Sequence, residues 1–98
     1  MENEVILVKV RITDELAQQI VDSARAVVGW NINFIDRHGR IMASTDSGRI
    51  GTYHKAGHVA ARTGQVQTVQ EDRLEDGVSR GVNYPIIMDH LVLGVIGI

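Results

Sequence analysis

Val82-Asn83-Tyr84-Pro85-Ile86-Ile87-Met88-Asp89-His90-Leu91-Val92-Leu93-Gly94-Val95-Ile96-Gly97-Ile98 decides the fold. Two apolar runs, 82–88 and 91–98, flank two polar residues, Asp89 and His90, at the spacing of a β-hairpin with a tight turn. Successive strand residues face opposite sides of a sheet. On that count Leu91, Leu93 and Val95 share one face, Val92 and Ile96 the other, and both faces are apolar. Such a strand belongs in the middle of a sheet with cover on both sides. Pro85 removes a ladder donor, so the first strand of the pair has an open side or a bulge. The chain stops at Ile98, inside the strand, and is therefore expected to be truncated.

Working outward, 71–81 is polar and aperiodic and is expected to be a mobile connection, preceded by a short strand over Val66–Gln70. Thr52–Thr63 reads as a helix with Ala56, Val59 and Ala60 on one face and Gly64 as its stop. A further hairpin pairs Asn31–Asp36 with Arg40–Thr45 around Arg37-His38-Gly39, and Asp46-Ser47-Gly48 is loop chemistry. Thr13 is a suitable N-cap for a helix with Asp14 and Glu15 in its first turn. Its apolar positions are Leu16, Ile20, Ala24, Val27 and Val28, and Gly29 ends it. Trp30 and Phe34 are expected in the core or an interface. Residues 5–11 are rich in β-branched side chains and read as a possible extra N-terminal strand. Hairpins with helices between them give an α+β domain, a five-stranded antiparallel sheet with helices packed on it.

Composition excludes several function classes. A chain of 98 residues makes one domain and buries roughly 65% of its unfolded surface. A net charge of -2 without a basic run argues against nucleic-acid contact by this segment. With aromatics at 4%, there is no platform for stacking bases. The longest apolar stretch, 91–98, is far short of the roughly 20 residues a membrane span needs. Glu2 and Glu4 stand where a secretory leader would be basic. The absence of cysteine fits a cytoplasmic protein and excludes thiolate chemistry.

The stretch 44–58 carries the most chemistry. Arg49 precedes a helix start, and a guanidinium can clamp a carboxylate with two parallel hydrogen bonds. Gly51 lets the backbone turn. The amides of Gly51 and Thr52, near the helix start, are candidate oxyanion donors. His54, expected on the first helical turn, offers another donor or a proton-dependent charge. The alternative is a solvated arginine and a surface histidine. His54 and His58 are four residues apart, but two ligands do not make a metal site and no metal is expected. No nucleophile elbow, P-loop or zinc-protease motif occurs. Asp36 with His38 reads as turn chemistry, and Ser44 with His54 lacks a third member, so neither an enzyme nor a cofactor is expected. Asn83 and Tyr84 face opposite sides of their strand, so one of them can meet a polar ligand.

Taken in order, these segments resemble the sugar diacid recognition domain at the N-terminus of carbohydrate diacid regulators. The matching pieces are Leu16-Ala17-Gln18-Gln19-Ile20-Val21; Asn31-Ile32-Asn33-Phe34-Ile35-Asp36 followed by Gly39 and Ile41-Met42-Ala43-Ser44; and Arg49-Ile50-Gly51 with His54. Gly81-Val82-Asn83 with Pro85-Ile86, and Gly94-Val95-Ile96-Gly97-Ile98, complete the set. The resemblance covers 13–98 and leaves 1–12 as an unassigned extension. It implies a PAS-like sensor of glucarate, galactarate or glycerate in a cytoplasmic transcriptional regulator, with the DNA-binding region elsewhere. It also implies a homodimer and a ligand pocket of Ser44, Arg49, Gly51, Thr52, His54 and Asn83. A module that dimerises without a ligand is the rival reading. This sequence departs from the family in having Lys55-Ala56-Gly57 where Glu-Gly-Ala is usual, a change that would alter ligand charge preference, and Asp89-His90 where a glycine is usual.

Overall fold

The computed structural model describes residues 11–98. The strand expected at 5–11 lies outside the described residues apart from Arg11, which joins no strand. Helix α1 covers Asp14–Val28, with Thr13 Oγ1 accepting from Leu16 N–H and Gly29 closing the last turn in a left-handed conformation. Strands β1 (Asn33–Ile35) and β2 (Ile41–Ser44) follow. The Asp36 carboxylate builds the turn between them, accepting from the backbone N–H of His38 at 2.8 Å and of Arg40 at 3.0 Å. Helix α2 (Lys55–Thr63) and strands β3 (Gln67–Val69), β4 (Gly81–Met88) and β5 (Leu91–Gly97) complete the chain.

The strands form one antiparallel sheet in the order β2-β1-β5-β4-β3, so the expected α+β architecture holds and β5 is the middle strand. Each face has its own helix and its own apolar cluster. Ala17 and Val21 of α1 pack with Ile32, Phe34 and Ala43. Ala60 and Ala61 of α2 pack with Ile35, Ile41 and Val95. Phe34 and Ile35 are neighbours in sequence and wholly buried on opposite faces, as strand alternation requires. Gly57 lets α2 come close, because a Cβ there would sit 2.5 Å from Ile35 Cδ1.

Three expectations need correction. The faces of β5 are not those that simple alternation gives. Ile86 pairs with Gly94 but Ile87 pairs with Val92, so Leu93 is an extra residue in the ladder. That bulge puts Val92 with Val95 against α2, away from Ile96, which packs on the α1 cluster. Of the two residues expected in the core or an interface, Phe34 is buried and Trp30 is 69% exposed. Helix α2 begins at Lys55 and not at Thr52, because Tyr53 is extended and bridges to Arg40. The connection over 71–80 is folded: Leu74–Asp76 is a 3-10 turn, Arg73 bridges to Val78, Val78 is buried, and Asp72 Oδ1 accepts from Arg80 N–H at 2.8 Å.

Candidate functional site

Register alone creates the floor of the main cavity. Ser44 lies opposite Asn33, Asn33 opposite Gly97, Gly97 opposite Asn83, and Asn83 opposite Gln67. One row across all five strands is therefore polar or bare, at the end of a sheet that is otherwise apolar. Directly opposed residues share a face, and for this row it is the face that Ile35 and Val95 present to α2. Gly97 keeps the middle of the row open, since a Cβ there would come within 2.8 Å of Asn83 Oδ1. Ser44 Oγ donates to Asn33 Oδ1 at 2.6 Å, which leaves the Asn33 amide N–H groups as donors on the cavity wall.

The cavity measures about 570 Å³, within the range of small-molecule sites. Its lining also includes Arg49 and His54, Val28 and Trp30 at the end of α1, and Ser79 and Arg80. Among the described residues, no acidic side chain lines it. Arg49 is half-buried and donates to the Gly77 carbonyl at 2.7 Å and to Ser79 Oγ at 3.5 Å. Those two bonds fix the guanidinium on the folded 71–80 segment and leave other N–H donors unused. Among the described residues it has no carboxylate partner.

His54 is the N-cap of α2, one residue before the helix rather than on its first turn. Its Nδ1 accepts from Gly57 N–H at 2.9 Å, so the ring proton is carried on Nε2. Burial lowers its pKa from 6.5 to about 4, and the neighbouring Arg49 charge acts in the same direction. The ring is therefore a neutral donor near pH 7: of the two roles open to it in the sequence, it takes the donor and not the proton-dependent charge.

The other expected pocket residues divide. Asn83 is buried on the floor, donating to the Gln67 carbonyl at 3.4 Å. Ser44, Gly51 and Thr52 do not line the cavity. Ser44 stands behind Asn33. The two amides expected as oxyanion donors are already used, Gly51 N–H by the Ile41 carbonyl at 2.8 Å and Thr52 N–H by the Arg49 carbonyl at 3.1 Å. Asn33, Ser79, Arg80, Gly97 and Trp30 were not foreseen as pocket residues. A glycine inside an apolar strand marks a close approach, and Asn33 interrupts an apolar run, so these two left a trace in the sequence. The i, i+4 histidines do not act as a pair, because His58 Nδ1 meets the Tyr53 hydroxyl at 2.7 Å while His54 caps the helix.

The family profile for sugar diacid recognition matches residues 12–98. The chain belongs to the sugar diacid recognition family. Over 86 residues this sugar diacid recognition domain is 34% identical to the carbohydrate diacid regulator of Escherichia coli (strain K12), a match covering 86% of the chain and 22% of the relative. It is 28% identical over 85 residues to the uncharacterised protein YsfB of Bacillus subtilis (strain 168), covering 85% of the chain and 23% of that protein. The domain thus spans about a fifth of the curated relatives it matches. Two solved structures share the fold. The sensor domain of the V. cholerae histidine kinase DctB has a TM-score of 0.64 at 23% identity, over 86% of this chain and 36% of that one. The GAF domain of an Acinetobacter phosphoenolpyruvate-protein phosphotransferase has a TM-score of 0.60 at 12% identity, over 96% and 69%. The fold is PAS-like, of the sensor and GAF type. Lys55, expected to alter ligand charge preference, does not line this cavity; its Nζ lies 3.9 Å from Asp76 Oδ1.

Proposed function

We propose that this sugar diacid recognition domain binds a small carboxylic acid such as glucarate, galactarate or glycerate in the cavity beside Arg49. In this reading it is the sensor of a longer cytoplasmic transcriptional regulator and performs no catalysis. One observation carries it: among the described residues, a half-buried arginine with unused guanidinium donors lines a cavity that no acidic side chain lines. The guanidinium holds a carboxylate. The Asn33 and Asn83 amides and His54 Nε2–H take the remaining oxygens. Ser44 acts through Asn33, and Gly51 and Thr52 shape the loop that carries Arg49.

Isothermal titration with the three acids tests this. Micromolar affinity is expected for at least one, on the order of -8 kcal/mol. Arg49→Ala should weaken it at least about tenfold, the loss of one charge-assisted pair. If none of the acids binds, or if Arg49→Ala leaves binding intact, the carboxylate site is wrong.

A second reading, a homodimer formed without ligand, draws on the apolar end of α1, where Val27 is 85% exposed beside Trp30. Sedimentation would show a dimer whose stability no acid changes.

A further inference from the structure

A second arginine lines the same cavity. Arg80 lies just before β4, where the bond from its backbone N–H to Asp72 Oδ1 holds the chain at the cavity rim. Its side chain is exposed, while that of Arg49 is recessed. Among the described residues, neither is paired with a carboxylate. Two unneutralised cations on one cavity, in a chain of net charge -2, repel each other and attract anions. The same cavity is lined by Asn33, Gly97 and Asn83, a row open at the glycine and carrying two side-chain amides.

Resting on the reading above, we propose that Arg80 is the partner of a second carboxylate, so that the cavity selects diacids over monoacids of the same length. Arg49 takes the inner carboxylate, the polar floor takes the hydroxylated carbons, and Arg80 takes the outer carboxylate at the rim. A monoacid satisfies Arg49 and leaves Arg80 in water. The two arginines therefore have separable roles, affinity for Arg49 and selectivity for Arg80. Exposure adds a signature: the Arg80 contribution is screened by salt.

Trp30 is the only tryptophan and lines the cavity, so its fluorescence reports binding. The probes are glucarate and gluconate, which share a six-carbon chain and differ at one end, a carboxylate against a hydroxymethyl. The 98-residue chain should bind glucarate about tenfold or more tighter than gluconate, the worth of one charge-assisted hydrogen bond. Arg80→Gln should bring glucarate down to the affinity of gluconate. Arg49→Gln should weaken both. Raising NaCl from 50 to 500 mM should narrow the ratio in the parent chain and not in Arg80→Gln. If glucarate binds but Arg80→Gln leaves the ratio unchanged, the second clamp is refuted and the carboxylate site stands. If the parent chain binds neither probe, both fall together.

Discussion

His54 caps α2 with a nitrogen that must stay unprotonated, and this makes stability depend on pH. The folded ring titrates near 4 and the unfolded ring near 6.5. Between those values the unfolded chain holds more protons, so stability is full above about 6.5 and falls as pH drops through the window. The loss from this one ring is on the order of 2–3 kcal/mol between pH 7 and 4. Asparagine is a good N-cap and does not titrate. Urea midpoints of His54→Asn should therefore fall less between pH 7 and pH 4.5 than those of the parent chain. Equal falls would show that the ring is not the titrating group. At this scale Arg49 was legible, because an arginine next to a glycine turn is visible in the chain itself. The state of His54 was not, because its low pKa comes from burial and a cap bond that exist only once α2 docks.

Turns and caps were the readable parts of the elements. Thr13 and Gly29 bound α1, and Gly64 closes α2, as their chemistry suggested. The position of the bulge in β5 was not readable. Nothing in Leu91-Val92-Leu93-Gly94 announces that Leu93 drops out of the ladder, since the choice depends on which residue β4 presents opposite. The polar row behind the cavity floor was hidden for the same reason: its members come from five strands and meet only through register. The hairpin turn gives the prediction at this scale. Asp89 and His90 both have positive φ, 50° and 67°, the conformation that Asn-Gly adopts at least cost. Replacing them by Asp89→Asn and His90→Gly should stabilise the fold by about 0.5–1 kcal/mol, through relief of left-handed strain. Chemical denaturation measures it, and a loss of stability would mean that the turn side chains make contacts worth more than the strain.

For the whole molecule, a ligand that binds only the folded state stabilises it by mass action. At a hundredfold excess over Kd the gain is about 2.7 kcal/mol, and in a domain this small that moves Tm by roughly 10–20 °C. Differential scanning with glucarate should show such a rise, and no rise at saturating acid would contradict binding to the native state. The cavity rim joins parts that are otherwise on opposite sides of the sheet. Val28 and Trp30 come from the tail of the helix on one face, and His54 opens the helix on the other. An occupant therefore works like a rivet at the edge of a plate, fastening two layers that would otherwise breathe separately. Amide deuterium uptake should slow together at 26–31 and 54–58 when the acid is added, although the helices they adjoin pack on opposite faces of the sheet.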